Sequence, residues 1–240
     1  MGFASDYAAL EEKFKEQAEK DGDLYVPNIR LSGPVDFVFV AMEPSMRWAS
    51  RSGDGAQRAL DNGFKGFTYS FEDFILHYCI RTYLRRNGET YHVTDVSKGA
   101  MLVKHANVDR KTRFGRWCPL LKKELKLVAK PRAEIFAMGR EARDFLDKSG
   151  ISSVRIPHYS GQNAAERNRS VLGKKPEFEL LAATLGCDAI NRVARDVMAE
   201  AGFSDVLAKE TTDRLARGSR LTSSRKKLIF AYKTGFDKCS

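Results

Sequence analysis

Residues 34–41, "PVDFVFVA", run almost wholly apolar, with no alternation of polar and apolar positions. A strand with one wet face alternates with a period of two. A short, continuous Val/Phe run instead needs cover on both faces. Three further strand-like runs follow: "TYHVTDV" (90–96), "AEIFAM" (133–138) and "SVRIP" (153–157). Helical patterns separate them. One covers 5–20, with Ser5 or Asp6 as its cap. A second covers 71–84, capped by Ser70 with Asp73 three residues on. A third covers 117–130 and is stopped by Pro131. A fourth, "REARDFLDKS", follows the turn at Gly139. Strands alternating with helices predict an α/β fold: three layers, α/β/α, around a central, mainly parallel four-stranded sheet.

Residues 45–66, rich in Gly, Ser and Asp, are expected to form a long loop, and loops of that length are usually functional. Residues 176–202 read as helix broken near Gly186. A chain of 240 residues is expected to fold as one domain. No apolar run reaches 18 residues, so no membrane-spanning helix is expected. The first 20 residues are acidic and helical, unlike a secretory signal, and a cytoplasmic location is expected. Cys79, Cys118, Cys187 and Cys239 lie far apart without paired spacing. Free, mostly buried thiols are expected, with no metal site and no cofactor.

The formal net charge is +10, which favours a polyanionic partner. Residues 209–238 hold nine Lys or Arg against three acids, and "HANVDRKTRFGR" (105–116) interleaves Arg with an aromatic residue. Phosphate backbones bind such surfaces by releasing counterions. A solvated basic face would give the same composition.

In parallel sheets, ligands sit outside the carboxyl ends of the strands. Those ends carry Glu43, Asp95, Gly139 and His158. Together with their surroundings they resemble a known family. "VDFVFVAMEPS" is similar to the first motif of the uracil-DNA glycosylase superfamily, a strand followed by a turn containing Pro. "YHVTDVSKGAM" resembles its second strand, which usually ends Thr-Asn-Val-Val-Lys. "CPLLKKELKLVAKPRAEIFAMGREARDFL" resembles its helix–Pro–strand–Gly segment, and "IPHYSGQNAAERN" its His-Pro-Ser motif. The likeness covers about 35–170, in the family's order. It implies a glycosylase-like domain whose motif-bearing core spans 34–170, followed by a helical extension, 171–240, with a basic tail.

The resemblance implies hydrolysis of the N-glycosidic bond of a flipped-out nucleotide, through a state with positive charge on the sugar. Glu43, just before Pro44, falls where the family positions water and steadies that charge. Ala41 stands where the family usually has Gly. His158 falls where an N–H donates to the departing base, a role worth about 3–4 kcal/mol of barrier. Tyr159 stands where Pro is usual. Ser160 matches a phosphate contact, and Gln162, with Asn163 beside it, the residue that fills the gap in the stack. Arg167, Arg169 and Lys98 are implied phosphate contacts. Phe64 and Met42 are implied to touch the base, a core role being the other reading of Phe64.

The base reader is commonly Asn; here it is Asp95. An ionised carboxylate only accepts, which suits the exocyclic amino group of cytosine and repels uracil O4. Ser45 replaces the bulky aromatic that excludes a C5 substituent in uracil-specific relatives. The resulting expectation is a monofunctional, monomeric DNA glycosylase acting on a C5-modified cytosine, such as the hydroxymethylated or glucosylated cytosine of phage DNA, in antiviral defence. A uracil or deaminated-base repair glycosylase, and a non-catalytic DNA-binding module on the same fold, are the alternatives.

Overall fold

The computed structural model describes residues 2–44, 53–100, 103–159, 164–218 and 220–237, with backbone alone at 53, 54 and 103–109. In chain order the elements are α1 (Phe3–Asp21), β1 (Leu24–Tyr25), β2 (Val35–Ala41), α2 (Gly53–Asp61) and α3 (Phe71–Cys79), the last prolonged by a π-helical turn, Ile80–Leu84. Then come β3 (Tyr91–Asp95), β4 (Gly99–Ala100), α4 (Val103–Val128), β5 (Ala129–Met138), α5 (Arg140–Lys148) and β6 (Val154–Ile156). The chain closes with α6 (Ala164–Val171), α7 (Lys175–Thr184), α8 (Cys187–Glu200), α9 (Asp205–Gly218) and α10 (Ser223–Phe236). The fold is mixed α/β, with a four-stranded parallel sheet of order β3-β2-β5-β6 flanked by helices, as the alternating pattern predicts. The chain divides into two compact units, Met1–Gly66 with Glu89–Val154, and Phe67–Gly88 with Arg155–Ser240.

In the first unit β2 is the central strand, paired in parallel with β3 on one side and β5 on the other. Val38, Phe39 and Val40 are each 0% exposed, which explains the unbroken apolar run. Val38 and Val40 join Tyr7, Phe114, Leu121, Leu125, Val128, Ala142 and Leu146 in one core. Phe39 stacks on its register partner Phe136, ring centroids 4.7 Å apart. Burying side chains of this size contributes about 1.5–3 kcal/mol each. Helix α1 lies on α4, where Phe14 stacks on Trp117.

Several boundaries differ from the sequence pattern. Helix α1 starts earlier, with Gly2 in the cap position and Asp6 in the first turn, where a carboxylate favours the helix dipole. The expected loop 45–66 contains α2, which buries Ala56 despite its flanking glycines. Helix α4 begins at 103 rather than 117 and carries Pro119 in its interior. The Ser70–Asp73 capping box forms, and the break at Gly186 separates α7 from α8.

In the second unit α10 packs on α3, α6 and α7, α3 packs on α8, and α8 on α9. Five consecutive residues of α10, Leu228–Tyr232, are buried. Consecutive burial covers every side of a helix, so this part of the tail that reads as a basic arm lies in the core of the unit. Its cations are partly used inside it. Arg225 pairs with Glu72 at 2.8 Å and lies over the Phe71 ring, while Lys226 donates to the Ala182 carbonyl at 2.7 Å. Cys79, Cys118 and Cys187 are free thiols, and of these Cys79 is buried.

His77 is buried in α3, its Nε2 3.1 Å from the Phe67 carbonyl oxygen. Burial, then the nearby Arg81 charge, pushes its pKa from 6.5 down to about 3. The unfolded chain therefore takes up a proton that the folded chain excludes. Stability is full above pH 6.5 and falls towards pH 3, by about 1.4 kcal/mol per pH unit. Urea titrations at pH 7 and pH 5 are expected to differ by about 2 kcal/mol more in the native protein than in His77→Gln. Equal differences refute this.

Candidate active site

The chain leaves β2, pairs β3 on one side of it, then crosses to place β5 on the other. The seam between β2 and β5 is thus where the connections diverge, and in parallel sheets ligands gather beyond the carboxyl ends of the strands at such a point. Residues from both strand ends meet there. The β2–β3 pairing continues past Ala41, since Val96 N–H donates to Ala41 O at 2.9 Å and Ser97 N–H to Met42 O at 3.1 Å. Glu43 is the first residue beyond that ladder. On the β5 side, Gly139 has φ +92°, a conformation that favours glycine, and turns the chain into α5.

The Glu43 side chain is 9% exposed. Its Oε1 accepts from Arg110 Nη2 at 2.6 Å, while Oε2 is buried with no hydrogen-bond partner among the described residues. The other arm of the Arg110 fork, Nη1, donates to Glu141 in the first turn of α5. One guanidinium therefore ties the ends of β2 and β5 together across the seam. The two carboxylates hold Arg110 charged, against the burial that would favour losing the proton. A buried carboxylate oxygen without a partner is costly, and a water or a cation would satisfy it.

Asp95 ends β3 in register with Ala41 and is buried. Its carbonyl oxygen accepts from Lys98 Nζ at 2.5 Å. Lys98 also donates to Glu124 Oε2 at 2.7 Å, and Glu124 Oε1 receives His92 at 3.0 Å, Thr94 at 2.9 Å and Asn28 at 3.2 Å. Glu124 is fully buried. Burial alone would raise its pKa, but the Lys98 charge and the His92 hydrogen bond hold it well below the usual carboxylate range. This network braces the backbone of Asp95 from behind. Beside it Arg113 pairs with Asp23 and donates to Ser97 Oγ at 3.1 Å and Gly99 O at 2.7 Å. A Cβ at Gly99 would lie 2.6 Å from Arg113 Nη2 and 2.8 Å from Asp23 Cβ. Gly99→Ala is expected to cost about 1–3 kcal/mol in urea unfolding; a cost under ~0.5 kcal/mol would contradict it.

His158 belongs to the second unit. Its ring stacks on Tyr159, centroids 4.6 Å apart at 24°. Tyr159 hydrogen-bonds the buried Asp73 with its side chain and accepts from Arg167 through its carbonyl oxygen. Arg167 is further held by Ser224 at 3.0 Å. Tyr159 thus anchors this turn by polar bonds to α3 and α6. Burial pushes the Asp73 carboxyl up, opposed by hydrogen bonds from Ser70, Tyr159 and Tyr69.

Two expected phosphate contacts are corrected. Lys98 is 1% exposed and committed to Glu124 and Asp95, and Arg167 is 5% exposed and committed to Tyr159 and Ser224. Neither presents its charge to a DNA backbone. Arg169 is exposed on α6. The three arginines of the stretch 105–116 are likewise engaged: Arg110 with Glu43 and Glu141, Arg113 with Asp23, and Arg116 with Asp21. Phe64 is buried, its N–H donating to Ala59 O at the end of α2. Met42 is half-buried and packs on the core. Ser45, Ser160, Gln162 and Asn163 lie outside the described residues.

Arg110, Arg113 and Glu124, whose ion pairs surround the strand ends, are not among the residues that the motifs single out. Their signal is in the sequence. Residues 110, 113, 114, 117, 121, 124, 125 and 128 recur at helical spacing, and from 113 onward each is buried. Charges on the inward face of a helix require internal partners. Among the described residues no group of His, Cys, Asp and Glu is arranged to hold a metal, and no helix is long and apolar enough to cross a membrane. No family model, curated protein or solved structure matches the chain.

Proposed function

We propose that this protein is a monofunctional DNA N-glycosylase whose substrate is a C5-modified cytosine, serving defence against phage DNA. The observation that carries the reading is Glu43: a buried carboxylate at the β2–β5 seam, with Oε1 clamped by Arg110 and Oε2 without a partner among the described residues. Four motifs in glycosylase order along 35–170, on a parallel α/β sheet, support it.

The bond between C1′ and the base nitrogen breaks first, its electron pair leaving with the base. The Glu43 carboxylate steadies the positive charge left on the sugar, in a site where burial strengthens such interactions. A water held at Oε2 adds its oxygen to C1′ and passes a proton to Glu43, leaving an abasic sugar; the base takes up a proton from solvent. The role of donor to the departing base is assigned to His158 by the motif resemblance. Asp95 accepts from the cytosine amino group and repels uracil O4. Ser45, at the sequence position where the family has a bulky aromatic, favours a base with a C5 substituent.

The test is incubation with duplex oligonucleotides containing uracil, a thymine mismatch, 5-hydroxymethylcytosine or its glucosylated form, then alkaline cleavage of abasic sites. Breaks at the modified cytosines are expected. Breaks at uracil alone would replace the substrate with a deaminated base. Asp95→Asn is expected to move preference towards uracil by about 1–3 kcal/mol, or roughly 5–150-fold; an unchanged ratio refutes the role of Asp95.

A non-catalytic DNA-binding module is the second reading. It is favoured by the ion pair itself, because a structural carboxylate at a strand end would also take an arginine partner. It predicts salt-sensitive DNA binding and no abasic product from any base.

A further inference from the structure

Arg110 has no place in the family motifs, yet it is the described residue that touches Glu43 and bridges two strand ends. The two partners differ in setting. The Glu43 side chain is 9% exposed and that of Glu141 is 56% exposed. A salt bridge exposed to that degree contributes little, whereas a buried carboxylate without its cation is costly. The Glu43 contact is therefore the consequential one, and Glu141 fixes the other arm of the fork.

The helix beneath is itself locked. Three residues on, Arg113 pairs with Asp23; four turns on, Glu124 pairs with Lys98. Both pairs are buried, so α4 can neither rotate nor slide without breaking them. The planar fork of an arginine then sets direction as well as charge. With Oε1 held at 2.6 Å and the side chain only 9% exposed, the carboxylate has little room to turn, and Oε2 is the oxygen left over.

Resting on the glycosylase reading, we propose that Arg110 is the positioning residue of the site. It orients the Glu43 carboxylate so that Oε2 alone faces the reacting sugar and water, and it touches neither DNA nor base.

The experiment measures single-turnover base release and DNA dissociation constants on the best oligonucleotide of the panel, for the wild type, Arg110→Gln, Arg110→Lys, Glu43→Gln and the double variant Glu43→Gln/Arg110→Gln. Lys123→Gln, an exposed charge loss on the same helix, is the control. A misplacement of about 1 Å costs roughly 10²-fold in rate. Arg110→Gln is thus expected to slow base release about 100-fold with DNA affinity within about threefold. Arg110→Lys is expected to recover part of the loss, because the charge remains and the fork does not. In the Glu43→Gln background, removing Arg110 is expected to add nothing, since its action passes through Glu43.

Weakened DNA binding with an unchanged rate would make Arg110 a phosphate contact and overturn the proposal. So would additive losses in the double variant. Should Arg110→Gln fail to fold, the comparison of Arg110→Lys with wild type, in both Glu43 backgrounds, decides the same question. Base release by wild type with an unaffected Arg110→Gln rate sinks the positioning role alone. No base release from any oligonucleotide by wild type sinks the glycosylase reading and this role with it.

Discussion

Glu43→Gln is expected to reduce base release by at least about 10²–10³-fold, with the DNA dissociation constant changed less than about threefold. Glutamine keeps the size and one acceptor oxygen, so Arg110 retains a hydrogen bond at the position of Oε1. On the proposed mechanism, what is lost is the negative charge opposite the sugar as positive charge develops on it. Ground-state DNA carries no such charge at C1′, so binding is spared and the loss falls on the chemical step. Single-turnover alkaline cleavage and fluorescence anisotropy measure the two quantities separately. An unimpaired rate removes Glu43 from the chemistry. A rate and an affinity that fall together point to a folding defect or a DNA contact.

Lys98→Met is expected to destabilise the protein by about 3–5 kcal/mol in urea unfolding. Methionine fills the volume but leaves Glu124 as a fully buried carboxylate without its cation. Thr94, Asn28 and His92 still surround Glu124, which moderates the cost without cancelling it. The Asp95 carbonyl loses its Lys98 donor as well. Removing both charges in Lys98→Met/Glu124→Gln is expected to recover much of the loss, because the uncompensated charge is the costly species. A single-variant cost below about 1 kcal/mol would show that water or another group reaches Glu124.

Much of the architecture is legible along the chain. The unbroken Val38–Val40 run announces a strand covered on both faces, and that is how the strand sits. Ser70 with Asp73 announces a helix start, and Gly186 a break. The polar residues at strand ends, Glu43 and Asp95, fall where a parallel sheet gathers ligands. Such features depend on residues close in sequence, through periodicity, capping and turn chemistry, so a linear pattern carries them.

The partners of the charges were decided elsewhere. "HANVDRKTRFGR" has the composition of a phosphate-binding face, but three of its arginines are consumed by Asp21, Asp23, Glu43 and Glu141, partners 31 to 95 residues away along the chain. The tail 209–238 has the same composition, yet its last helix, α10, buries Leu228–Tyr232. The sequence by itself determined the order of strands and helices and which residue types end them. Tertiary structure alone decided which charges remain for a ligand, because an ion pair depends on separation in space, and folding brings together groups that the chain holds far apart.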